Sequence, residues 1–357
     1  MKKQALWILI LGFLVAVAAV SAQQAQPPSQ PSQPQPAPSS PQQAPAQTGP
    51  QGTIVRNVNL VEVLFSVVTK KEKLVTDLNK ENFKVFDDGV QQEISEFSQP
   101  TDLPLRIGMV LDTSNSIRER LKFEQDAAID FIFNALRRGK DQAFLMTFDD
   151  GPQIIKDFTG DTGEIRDTIL KQRAGGGTSL YDAVYAASDH LVKSSPLPLG
   201  ANPDVRRVLV VISDGDDNSS NRSRGESVEM AQRAGVIIYA ISTSTEWVSA
   251  EEEKNPSKQI SRKYQKNEGD KVMEQLAGET GGRAFFPYKV DDLGQSFLDI
   301  GDELRHQYAL VYSPAGRAPD GKYHTIRIQT DRKDVIVRAR KGYYSVPIPT
   351  PGKPATP

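Results

Sequence analysis

The sequence predicts an α/β protein: a doubly wound, mostly parallel sheet flanked by helices, joined to an accessory β-domain built from N- and C-terminal strands. Three observations predict it. Between residues 103 and 288, short β-prone apolar runs alternate with amphipathic stretches of helical period, the grammar of a doubly wound sheet. On either side, over residues 54–98 and 308–344, the pattern is β alone. Two of the apolar runs, 107–111 and 208–212, end in Asp112 and in Ser213-Asp214, at the carboxyl ends of strands, where open α/β sheets build their sites.

Taken in order, Lys2 and Lys3, an apolar run over residues 6–20 and the small residues Val20-Ser21-Ala22 read as an export signal, residues 1–22. The run is short of the ~20 residues a membrane span needs, so no span is expected after cleavage; an uncleaved anchor is the competing reading. Residues 23–50 are Gln, Pro, Ala and Ser almost throughout, a disordered linker. Residues 51–102 form an N-terminal β segment: Val61, Val63 and Phe65, a turn-rich break, then Phe83 to Phe86, a turn at Asp87-Asp88-Gly89 and a partner strand over 91–97. So few strands make a poor core and need others.

The α/β domain is read over residues 103–306. Strands are expected at 106–111, 143–148, 153–158, 208–212, 236–241 and 284–286. Helices are expected at 116–136, 164–170, 180–191, 228–234, 272–276 and 293–304. The polar residues 243–270, with Trp247, read as an insertion, either a solvated helix or a partner contact at the rim of the site. Strands at 308–312, 323–329 and 335–339 make a C-terminal β segment, 307–346, expected to pack with 51–102; residues 347–357 are a disordered tail.

Composition excludes several functions. The net charge is −2, or −4 once residues 1–22 are removed, with no long basic run, so nucleic acid is not an expected partner. There is no cysteine, hence no disulfide, thiolate metal site or cysteine nucleophile. His190, His306 and His324 are too widely spaced to suggest zinc. No G-x-S-x-G elbow, phosphate-binding G-x-x-x-x-G-K-[ST] loop or H-E-x-x-H pair occurs, and His190 falls on a helix where a surface or packing role is expected rather than catalysis.

Three stretches together supply the donors of a divalent-metal site: Asp112, Ser114 and Ser116 in DTSNS, Thr178 after three glycines, and Asp214 in SDG. All five side chains offer oxygen, which selects a hard cation such as Mg²⁺. Alternate residues of a loop leaving a strand can converge on one point, and glycines 175–177 allow close backbone approach. Each stretch alone has an ordinary explanation, a helix cap for the serines and a turn for Asp214-Gly215; their joint order is what carries the reading.

These stretches, GGGTSLYDA over 175–183 included, resemble the von Willebrand factor type A domain and its metal-ion-dependent adhesion site over roughly residues 103–306. More loosely, the chain resembles exported bacterial proteins related to that family, on the stretches ENFKVFDDGV (81–90) and QYALVYSP (307–314). The resemblance implies that Ser114, Ser116 and Thr178 ligate through hydroxyls and that Asp112 and Asp214 act largely through bound water. It implies Mg²⁺, with Mn²⁺ or Ca²⁺ possible, and a protein partner presenting an Asp or Glu carboxylate. Asp149, Asp150, Ser179, Tyr181, Asp216 and Asp217 are the expected rim. The expected function is therefore an exported, secreted, periplasmic or envelope-associated binding module rather than an enzyme. The alternatives are a Mg²⁺-dependent phosphohydrolase with Asp112 as nucleophile and a scaffold with a purely structural metal.

Overall fold

The computed structural model describes residues 60–99, 103–194, 205–244, 266–287, 290–316 and 320–345. The signal, the linker, the start of the N-terminal β segment, most of the 243–270 insertion with Trp247, and the tail lie outside the described residues.

The N-terminal strands are β1 (Val61–Thr69), β2 (Phe83–Asp87), β3 (Val90–Gln92) and β4 (Ile94–Ser98). The α/β domain follows as β5 (Leu105–Asp112), α1 (Leu121–Ala135), β6 (Gln142–Phe148), β7 (Pro152–Thr159), α2 (Thr162–Ile169), α3 (Leu180–Ser194), β8 (Arg206–Ser213), α4 (Arg224–Arg233), β9 (Val236–Ser242), α5 (Glu268–Thr280), β10 (Ala284–Phe285) and α6 (Val290–Arg305). Then come β11 (Tyr308–Tyr312), β12 (Tyr323–Thr330), β13 (Val335–Ala339) and β14 (Gly342–Tyr344).

The central sheet has the order β10-β9-β8-β5-β6-β7, parallel except for the edge strand β7. Its middle strands are apolar on both faces, as a sheet covered on both sides requires. Ile107, Met109 and Leu111 face α1, α2 and α6; Val110, Leu209 and Val211 face α3, α4 and α5. The three-layer sandwich predicted from the alternation is present.

Two four-stranded antiparallel sheets, β13-β1-β11-β4 and β14-β12-β2-β3, share a second core around Phe65, Phe83, Tyr308 and Tyr312. Strands from before and after the α/β domain therefore pair. β4 and β11, which lead into and out of that domain, are neighbours.

Two local expectations change. The stretch read as one strand over 91–97 is two: β3 pairs with β2 in one sheet and β4 with β11 in the other. Gln92 and Ile94 are both buried on either side of Glu93, so the side-chain alternation runs through the point where the strand changes sheets. The helix expected from Ser116 begins only at Leu121, because residues 115–117 form a 3₁₀ turn first.

Candidate metal centre

The parallel strands deliver their carboxyl ends to one edge of the sheet, β5 ending at Asp112 and β8 at Ser213. Asp112 is fully buried and oriented twice: Oδ1 accepts from Ser114 N at 2.8 Å and Oδ2 from Ser213 Oγ at 2.7 Å. The second bond ties the first stretch to the third. The glycine stretch closes on the first through Gly175 N to Thr113 O (2.8 Å) and Asn115 N to Gly176 O (3.2 Å). It closes on the third through Thr178 N to Asn218 Oδ1 (2.9 Å) and through Asn218 N and Ser219 N to Thr178 O. All three stretches are thus hydrogen-bonded into one loop cluster.

The serines are not spent as caps. Ser114 precedes the 3₁₀ turn yet makes no side-chain cap bond, and α1 is preceded by Arg120. The two hydroxyls instead meet each other, Ser114 Oγ to Ser116 Oγ at 2.9 Å. Ser114 and Thr178 are buried and Ser116 is exposed, so the donors grade from the sheet edge outward to solvent. Asp112 has its carboxyl raised to about 6, chiefly by burial and in part by Asp214, against hydrogen bonds that lower it. A cation there would relieve both the burial and the like-charge contact. The all-oxygen donor set is of the chemistry that suits a hard divalent ion.

Two charged side chains on α1 and its approach join the cluster, and the sequence pattern did not single them out. Arg120 reaches Asp214 Oδ2 at 3.5 Å and donates to Thr243 O at 3.0 Å, so a guanidinium partly offsets the charge of Asp214. Glu124 is 1 % exposed and neither carboxylate oxygen has a hydrogen-bond partner. Burial first, then Asp112 and Asp214, push its carboxyl well above the ordinary range; Thr243 works the other way, although its hydroxyl lies outside hydrogen-bonding geometry. The only signal in the sequence was an acid between Phe123 and Ala127 on the buried face of a helix.

The expected rim divides. Asp216 is exposed beside Asp214, and its carboxyl is raised by burial and by Asp214. Asp150 is exposed and accepts from Gly177 N at 2.6 Å, and Asp149 flanks it with Oδ1 accepting from Gly151 N at 3.4 Å. Tyr181 is half-buried. Asp217 turns inward: Oδ2 accepts from Tyr181 N and Ser220 Oγ, securing the first turn of α3. Ser179 is a correction, for it is fully buried at the start of α3 and lies behind the rim.

The histidines stand elsewhere. His190 stacks on Phe158 and bonds Asp157 at 3.0 Å, a packing role. Among the described residues, Asp87, Asp88 and His324 bring ligating atoms within 4.8 Å of one another. Hydrogen bonds account for that group: the His324 nitrogens meet Asp88 and Asp320, and Asp87 accepts from Tyr312 and Tyr343.

Residues 107–216, from the middle of β5 to just beyond β8, match the family described as von Willebrand factor type A domain. The α/β domain, with its mostly parallel sheet between helices, has the fold of that type. An uncharacterized protein of Borreliella burgdorferi is 25 % identical over 240 residues, covering 64 % of this chain and 62 % of the relative; this chain spans less than two thirds of that relative's length. Among solved structures, a von Willebrand factor type A protein from Catenulispora acidiphila is similar over 81 % of this chain and 75 % of its own, at 10 % identity and a TM-score of 0.44. An aerotolerance-related membrane protein from Bacteroides fragilis is similar over 56 % and 98 %, at 15 % identity and 0.41. The PilB minor pilin from Streptococcus sanguinis is similar over 57 % and 62 %, at 16 % identity and 0.39.

Proposed function

We propose that this chain is an exported, metal-dependent binding module of the cell envelope, recognising an Asp or Glu carboxylate of a partner protein through a bound divalent cation. Mg²⁺ is the preferred ion, with Mn²⁺ or Ca²⁺ as substitutes. Asp112, Ser114, Ser116, Thr178 and Asp214 hold the cation, and Asp149, Asp150 and Asp216 stand around its exit to solvent. The observation that carries the reading is the hydrogen-bonded convergence of three distant stretches, with serine hydroxyls spent on no helix cap. Only two of the five donors are carboxylates and Arg120 draws on one of them, so a cation here keeps positive charge for an anionic ligand from outside.

A binding role is favoured over phosphoryl transfer. A nucleophilic Asp112 would need an accessible oxygen, and here the residue is fully buried with each oxygen accepting a hydrogen bond. Among the described residues no helix is long and apolar enough to cross a membrane.

The test is calorimetric titration of Mg²⁺ and Mn²⁺ into the wild type and Asp112→Ala, followed by capture from envelope extracts in Mg²⁺ and in EDTA. Saturable binding lost in the variant, and a partner released by EDTA, are expected. A partner held equally well in EDTA and by Asp112→Ala would refute the mechanism.

A further inference from the structure

In the two-sheet β-sandwich, His324 of β12 is 5 % exposed and stands between two acids from different parts of the chain. Its Nδ1 lies 2.9 Å from Asp88 Oδ2 and its Nε2 lies 3.0 Å from Asp320 Oδ1. Asp88 belongs to the turn between β2 and β3, where Asp88 and Gly89 both take positive φ, +46° and +81°, as a two-residue hairpin turn of the favoured hand requires. Asp320 lies on the approach to β12 and meets the residue after β14, for its Oδ1 also accepts from Ser345 Oγ at 2.7 Å. One imidazole therefore joins three places: the β2–β3 turn, the approach to β12 and the end of β14.

The bonds fix the state of the ring. A neutral imidazole donates from one nitrogen and accepts at the other, whereas an ionised carboxylate only accepts. Two carboxylates facing the two nitrogens require the imidazolium, with a proton on each. Neighbouring donors are spent on the acids: Thr325 N and Thr325 Oγ1 donate to Asp88 Oδ1, at 2.8 and 3.1 Å, and Lys322 N donates to Asp320 at 2.9 Å. Ser345, then Lys322 N, then His324 hold the Asp320 carboxyl well below the ordinary range. Between Asp88 and the ring, the imidazole is the stronger base, with ordinary values of about 6.5 against 3.9, so the shared proton sits on the ring.

The other ionisable groups around the ring do not oppose this state. Asp87, at the end of β2, brings a carboxylate oxygen within 4.8 Å of the ligating atoms of Asp88 and His324, and it accepts from the Tyr312 and Tyr343 hydroxyls at 2.9 Å each. Tyr343 of β14 packs its ring 5.4 Å from the imidazole. Lys322 is the cation on this side, and its Nζ stands 3.9 Å from Asp320 with the side chain in solvent.

We propose that His324 is a proton-operated latch of the sandwich: as the imidazolium it ties the β2–β3 turn to the approach to β12 and the end of β14, and loss of one ring proton releases that tie. Once a single proton remains, one nitrogen faces a carboxylate with its lone pair, and the contact changes from attraction to repulsion. The folded chain keeps a proton that the unfolded chain gives up near the ordinary histidine value of about 6.5. The stabilisation is thus complete below that pH and is lost as pH rises through the folded value. The latch lies in the sandwich and does not depend on the cation site.

Nitrogen-15 spectra of the labelled full chain, with each histidine ring assigned through its own backbone, read the ring directly. At about pH 7.5 His324 should carry a proton on both nitrogens, where a peptide histidine is mostly neutral. Amide exchange over residues 87–92 and 320–325, corrected for its intrinsic pH dependence, should quicken at least about tenfold as the ring titrates. His324→Gln should abolish that pH-dependent step. Asp320→Asn keeps an acceptor for Ser345 while removing one anion, so it remains informative if His324→Gln does not fold; in it the ring should lose its second proton at a lower pH than in wild type. The proposal falls if His324 has an unprotonated nitrogen at that pH, if Asp320→Asn titrates like wild type, or if exchange in the two segments does not follow the ring.

Discussion

Asp112 sets the acid limit of the site at the scale of single residues. Its folded value near 6 lies above the ordinary value of 3.8, so without a cation the folded state holds its proton more tightly than the unfolded chain does. Apo stability contributed by this group therefore falls as pH rises from about 4 to 6, by on the order of 3 kcal/mol. Cation binding runs the other way, since the ion competes with that proton. Mg²⁺ affinity measured by calorimetry should be flat above pH 7 and drop steeply below pH 6. Glu124 makes a second case. Its buried carboxylate has no hydrogen-bond partner, and Glu124→Met should stabilise the apo protein by about 1–4 kcal/mol in urea unfolding at pH 8, with a smaller gain at pH 5. That the three stretches carrying Asp112, Thr178 and Asp214 meet in one loop cluster was legible in the sequence, because order and spacing carry it. Arg120 and Glu124 were not, because on a helix an Arg and a Glu four apart read as a solvated pair, and only their placement near Asp214 and Thr243, just beyond β8 and β9, shows otherwise.

At the scale of elements, two glycines of the loop cluster separate stability from ion binding. Gly215 has φ +84°, and a Cβ there would lie 2.2 Å from Gly269 O on α5, a backbone atom with nowhere to go. Gly215→Ala should cost about 2–4 kcal/mol in denaturant unfolding. A Cβ on Gly177 would meet Ser219 Oγ at 2.1 Å and Asp150 Oδ1 at 2.9 Å, both ends of movable side chains. Gly177→Ala should leave stability within about 1 kcal/mol while weakening Mg²⁺ binding, because it parts the glycine loop from the third stretch beside Thr178. The strands and helices of the central domain were readable from period alone. The break at Glu93 was not, since a strand that changes sheets alters its hydrogen-bond partners and leaves its side-chain alternation intact. The late start of α1 was likewise hidden, because a 3₁₀ turn and an α-helix share their first apolar position, here Ile117.

At the scale of the whole molecule, β1 is buried on both faces. Val63, Phe65 and Val67 enter the sandwich core, while Leu64 packs against the central-domain core and Ser66 Oγ donates to Glu303 of α6. Both layers should therefore lose hydrogen-exchange protection together: mass spectrometry across a urea series is expected to show β1 and β8 opening at one midpoint, whereas separate midpoints would mean independent folding. That terminal strands must find one another was legible, because residues 60–99 are too few to enclose a core; which strands pair was not, since antiparallel partners are chosen by three-dimensional packing. The adjacency of β4 and β11 has a mechanical consequence. A pull applied at the carboxyl edge of the central sheet against a tethered sandwich would send tension through two strands that lie side by side and leave the sandwich from the same end. The pull then runs along β11, against the row of five residue pairs that joins it to β1, so the joint is loaded in shear and its hydrogen bonds share the force instead of parting one at a time.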